Sequence, residues 1–118
     1  MQNELERLRR AVRAPFSIVG LRNIDTICLM VLQDHGPAHP SAILLLGSMA
    51  RWIADAWDGV ALSVATAARV ENSLRPHFER LLDVANDVDI SMDVGASLDA
   101  AAEGFRNVLR QGLDCDFS

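Results

Sequence analysis

Lysine and tyrosine are both absent from this 118-residue chain, and only six residues are aromatic. Every positive charge is therefore an arginine, and the burial demand falls on Leu, Val, Ile and Ala, as it does in packed helices. Cysteine is scarce: Cys28 and Cys115 lie far apart and fit no metal or redox spacing, so a reducing, cytoplasmic setting is expected. Positive charge is in deficit overall. The formal net charge of -5 disfavours non-specific nucleic-acid binding. An uninterrupted apolar run is missing too. The greasiest segment, 41–59, is short for a bilayer and carries Arg51, Asp55 and Asp58, so no membrane span is expected. The first thirteen residues are charged and lead into no adequate hydrophobic region, so no signal peptide is read.

What is present is aliphatic and helical in period. The stretch SAILLLGSMARWIADAWDG, 41–59, organises the chain. Pro40 and Ser41 read as a helix entry, with Ser41 as the cap, and Gly59 reads as the exit. Leu45, Met49, Trp52, Ile53 and Ala56 fall on one stripe, and Ile43, Leu44, Leu46 and Trp57 carry apolar surface beyond it. Only Ser48, Arg51, Asp55 and Asp58 form a polar face, on which Arg51 and Asp55 are spaced to pair. A helix this apolar is either buried on most sides or partly turned to a second subunit or partner. Gly47, Ala50 and Ala54 would let another helix approach closely.

Around it, the pattern predicts an all-α, mainly antiparallel bundle of about five helices in one domain over 1–118. Asn3 with Glu6 resembles a capping box and opens a first helix running to about Ala14, with Leu5, Leu8 and Val12 inward and Arg7, Arg9, Arg10 and Arg13 crowded on the helix. That arginine face is either solvated or a docking surface for an acidic partner. Ser17 or Asn23 caps a second helix that reaches His35, and Gly36-Pro37 stops it. The short loop to Pro40 makes this helix and the central one an antiparallel hairpin. A long pattern starts at Val60 and contains Pro76, where a kink or break near Ser73 to Arg75 is expected. DVDISMDV, 87–94, has strand spacing, and reads as an extended loop or as a strand that must pair outside its own fold. Ser97 opens a last helix, which Gly112 closes.

Candidate chemistry is thin. Asp87, Asp89, Ser91 and Asp93 imitate the first half of a calcium loop, but Met92 stands where the turn needs glycine and Leu98 where the bidentate glutamate belongs. His35 and His39 are four apart, yet Gly36, Pro37 and Pro40 prevent the helix that would align them, and no Cys or acid completes a zinc set. Ser73 and His77 have nucleophile–base spacing, but Pro76 disturbs that turn and nothing supplies an oxyanion site. A helix-turn-helix reader needs a polar, basic second helix, and here that helix is the most apolar. No enzyme, cofactor, metal or direct nucleic-acid partner is expected.

Trp57-Asp58-Gly59 between two helical patterns resembles the W-x-G turn of small secreted WXG-type proteins, which implies a plain helical hairpin. In size, acidity and helical make-up the chain resembles the small bacterial quorum-sensing antiactivators. These capture a LuxR-type receptor and block its dimerisation or DNA binding. The apolar run Leu44 to Met49 and the Trp52/Trp57 pair are the kind of surface that role needs. The resemblance implies a non-enzymatic, cytoplasmic regulator, homodimeric, that covers a protein partner's association surface. Leu45, Leu46, Met49, Trp52, Ile53 and Trp57 are the expected partner-binding residues. A secretion chaperone or WXG-like secreted protein, and a small-ligand-binding bundle, are the alternative readings.

Overall fold

A computed structural model describes residues 2–34, 39–60, 62–86 and 94–112. These form five helices in chain order: α1 Gln2–Arg13, α2 Ile18–Asp34, α3 Pro40–Trp57, α4 Val64–Asn86 and α5 Val94–Gln111. The all-α expectation holds, and among the described residues there is no strand. No helix among them is long and apolar enough to cross a membrane. DVDISMDV falls outside the described residues except for Val94, which is the first residue of α5.

Two antiparallel hairpins make the frame. In α2–α3, Arg22 meets Asp55 while Cys28 abuts Gly47. In α4–α5, Arg80 meets Ser97, a methyl built on Gly104 would strike His77, and Arg69 meets Gln111. Helix α1 lies against α2 and α4, and α3 packs on α4. The core where α1 to α4 converge holds Leu8, Val12, Leu21, Ile24, Leu46, Ile53, Leu74 and Phe78, all essentially without solvent contact.

Local chemistry explains most of the boundaries. Ser17 caps α2, its Oγ accepting the Gly20 amide at 3.0 Å. Ser63 caps α4 in the same way through the Thr66 amide at 3.0 Å. That cap displaces the start of α4 from the expected Val60 to Val64. Gly59 leaves α3 at φ +76, a conformation open to glycine at little cost. Three expected starts are corrected. Helix α1 takes in Asn3 rather than starting after it. Helix α3 begins at Pro40, whose fixed φ and missing N–H suit a first helical position, so Ser41 lies inside the helix and not at its cap. Helix α5 begins at Val94, and Ser97 is buried one turn in, where its Oγ accepts from Arg80 Nε. Of the kink or break expected near Ser73 to Arg75, the break is absent, since α4 runs 23 residues through Pro76. Pro76 is exposed, and so is Asn72, whose carbonyl loses its helical donor to the proline and can turn to water instead.

One turn of α4 fastens the α1–α2 linker. The Phe16 amide donates to Glu71 Oε1 at 2.9 Å, and Arg75 donates to the Ala14 carbonyl at 2.7 Å. Glu71 and Arg75 pair with each other at 2.8 Å. The Phe16 ring stacks on Phe78 with centroids 5.3 Å apart, and the Arg75 guanidinium sits 5.7 Å over that same Phe16 ring. Spacings of four and three place Glu71, Arg75 and Phe78 on one face of α4. Phe78→Ala is expected to cost about 3–5 kcal/mol in urea unfolding. Arg75→Met, which strands the Ala14 carbonyl and Glu71, is expected to cost about 1–3 kcal/mol. A loss below 0.5 kcal/mol for either would mean that this turn does not hold the linker.

Candidate functional site

The six residues expected to bind a partner divide sharply. Leu46, Met49, Ile53 and Trp57 are 2% exposed or less and belong to the core of their own chain. They are corrected to structural residues. Trp52 is 61% exposed, and Leu45 is half-buried against the core. The inward face of α3 is the one that carries Ala42, Ile43, Leu46, Gly47, Ala50, Ile53, Ala54 and Trp57. Small residues decide this choice. A methyl built on Gly47 would lie 3.0 Å from Cys28 Cβ and 3.3 Å from Asp25 Oδ1, so the backbones of α2 and α3 meet at that point. The close approach foreseen at Gly47 is thus met within the chain, and Ala50 and Ala54 are buried on the same helix.

What remains outside is the outer face of the α2–α3 hairpin. Leu44, 58% exposed, and Leu29, 50% exposed, face each other across a shallow dip of about 50 Å³. Its wall also includes Cys28, Ile43 and Gly47, with Asp25, Ser48 and Arg51 at the polar side. Further along α3, Trp52 lines a wider open recess of about 480 Å³ with Arg51, Asp55 and Ala56. Leu44 was readable from spacing, because it stands four residues before Ser48 on the stripe assigned as polar. Leu29 carried the same signal, because it stands three residues after Thr26 and four before Gln33 on the exposed polar stripe of α2.

Charges frame this face without dominating it. Arg22 bridges to Asp55 at 3.0 Å and to Asp58 at 3.4 Å, fastening α2 to α3. Asp55 therefore pairs across the hairpin and not with Arg51 as expected. All three partners are well exposed, so the pairs contribute about 1 kcal/mol or less each. Both signs of charge thus surround three large exposed apolar side chains, Leu29, Leu44 and Trp52. No nucleophile–base pair stands among them. The arginines of α1 are partly engaged elsewhere: Arg9 and Arg13 share a recess of about 170 Å³ with Glu79 and Asp83 of α4, while Arg7 and Arg10 stay exposed. Among the described residues no group of His, Cys, Asp and Glu is placed to hold a metal ion. His35 and Cys115 lie outside the described residues, His39 immediately precedes α3, and His77 lies mid-α4 against Gly104.

Cys28 reads from sequence as an inert core thiol, and it is buried between α2 and α3 beneath the dip of the outer face. Burial first, and the Asp25 carboxylate second, push its pKa up to about 12.

No protein-family model, curated protein or solved structure matches this chain.

With Cys115→Ser leaving Cys28 as the single thiol, alkylation of the folded protein at pH 8 is expected to run about 10³-fold slower than in urea. The raised folded pKa also has a stability consequence. The thiol's contribution is complete below the unfolded value of 9.0 and is lost as pH climbs toward 12. Cys28→Ala should remove that part of the alkaline destabilisation in urea melts between those limits. Equal alkylation rates folded and unfolded would show that the thiol is accessible.

Proposed function

We propose that this chain is a non-enzymatic regulatory protein. It captures another protein on the outer α2–α3 face and blocks that protein's own association. The observation that carries the reading is Trp52, a large aromatic left 61% exposed on a helix whose other tryptophan is in the core. Burying an exposed indole removes a large apolar area from water, and tryptophan is prominent among interface anchors. Leu44 and Leu29 supply a second anchor point, and Arg22, Arg51 and Asp55 supply the polar rim. Scattered apolar residues elsewhere, such as Val19 and Val64, have no comparable neighbours around them and are ordinary surface features.

The partner class this reading favours is a transcriptional regulator, with the chain acting as an antiactivator of the quorum-sensing kind. Support for that narrower role is the acidic, small, all-helical make-up together with an apolar face framed by charge. Self-association into a homodimer would use the same anchors and compete with the partner for them. A secretion chaperone would use the face too, with an exported substrate as its cargo.

Isolation of the tagged protein from its native cell, with identification of the co-eluting protein, separates these uses. The captured protein's DNA binding is then titrated with the purified chain. An inhibited transcriptional regulator supports the reading, whereas an exported substrate replaces it with the chaperone. Trp52→Asp and Leu44→Arg are each expected to weaken capture by about 30-fold or more at unchanged helical content. Equal capture by both variants would overturn the assignment of this face. Light scattering at micromolar concentration gives the oligomer mass, and a dimer that both variants reduce to monomer would assign the face to self-association.

A further inference from the structure

The fifth helix is held differently from the other four. Among the described residues it packs along α4, touches α3 at its margin, and makes no contact with α1 or α2. Only Ser97, Ala101 and Val108 of its 18 residues are buried, against nine of the 18 in α3. Its fastenings are largely polar. Arg69 donates to Gln111 Oε1 at 2.8 Å and to the Gly112 carbonyl at 2.6 Å, satisfying groups at the helix C-terminus. Arg80 Nε donates to Ser97 Oγ at 3.4 Å near the other end. Helical spacing groups Thr66, Arg69, His77 and Val84 on the α4 face beneath it, with Ser73 and Arg80 exposed along its edge. That face is mostly polar. The α4 faces turned to the core and to α1 instead carry Leu74, Phe78, Leu82 and Ala85.

Midway, the two helices approach at a single small residue. A methyl built on Gly104 would lie 2.5 Å from His77 Nε2 and 2.7 Å from His77 Cδ2. A side chain at 104 would have to displace the His77 ring for α5 to keep its seat.

We propose that α5 is a separable cover. It lifts from α4 as one unit while α1 to α4 stay folded, and this bares the α4 face from Thr66 to Val84. Segments with few buried apolar contacts and polar fastenings open at lower free energy than the core they rest on. Nothing from α1 or α2 restrains α5; Ser97, Ala101 and Val108 are its fully buried residues, and Val94, Leu98 and Phe105 are only half-buried against the core. Its opening is independent of the Trp52 face.

Native-state hydrogen exchange on the full chain, across low urea concentrations, tests this. The slowest α5 amides are expected to exchange at least ten times faster than the slowest in α2 and α3, with a weaker urea dependence. Gly104→Ala should accelerate α5 exchange about tenfold further and leave α2 and α3 unchanged. Adding His77→Ala should cancel that increment, so that the double variant exchanges like His77→Ala alone. If wild-type α5 shares the rate and urea dependence of α2 and α3, the cover does not exist. Equal acceleration of all five helices by Gly104→Ala would overturn the proposal as well.

Discussion

A single turn of α4 holds three helices in register. Glu71 and Arg75 reach the backbone on either side of Pro15, and Phe78 receives the Phe16 ring. Neither the linker amide nor the linker carbonyl could be left dry and unpaired at that depth without a penalty of kcal/mol size. The salt bridge between Glu71 and Arg75 fixes both side chains before they meet the linker. This fastening ties α4 to the point where α1 gives way to α2. Helices α3 and α5 are attached without it.

The same logic explains why the central helix turns the face it does. Helix α3 is apolar nearly all round, and its narrow polar stripe of Ser48, Arg51, Asp55 and Asp58 turns outward but fixes the inward side only broadly. Backbone proximity chooses, because only the side bearing Gly47, Ala50 and Ala54 lets neighbouring helices close to contact. Bulk on the other sides is then left over, and Leu44 and Trp52 are that remainder. An exposed tryptophan here results from a packing decision made elsewhere on the helix. It supplies the surface on which a partner-binding role rests.

Legibility in the sequence followed the strength of local signals. Helix content, the α2–α3 hairpin, the Ser17 cap, the exits at Gly59 and Gly112, and the inert character of Cys28 all rest on short-range chemistry, and all could be read. The failures have a common cause, because each required knowing what lay nearby in space. Ser41 and Ser97 are good caps by type, but Pro40 and Val94 start their helices and leave those hydroxyls inside. Pro76 should break a helix, but it lies on the solvent side, where the freed carbonyl of Asn72 can find water. Of the six residues assigned to a partner face, four proved to be core, because they lie away from the outward polar stripe of Ser48, Arg51 and Asp55 and the size of an apolar side chain does not say which way it turns. The clamp of Glu71 and Arg75 was invisible, since it joins residues 55 and 61 positions apart.

The contact of Cys28 with Gly47 constrains substitution in this hairpin. A methyl at 47 would lie 3.0 Å from the Cys28 Cβ, so enlargement there requires α2 and α3 to part by a few tenths of an ångström. Swapping the thiol for a smaller group at 28 gives no relief unless the Cβ itself is removed, so the separation of the two helices, and not the sulfur, sets what position 47 can hold.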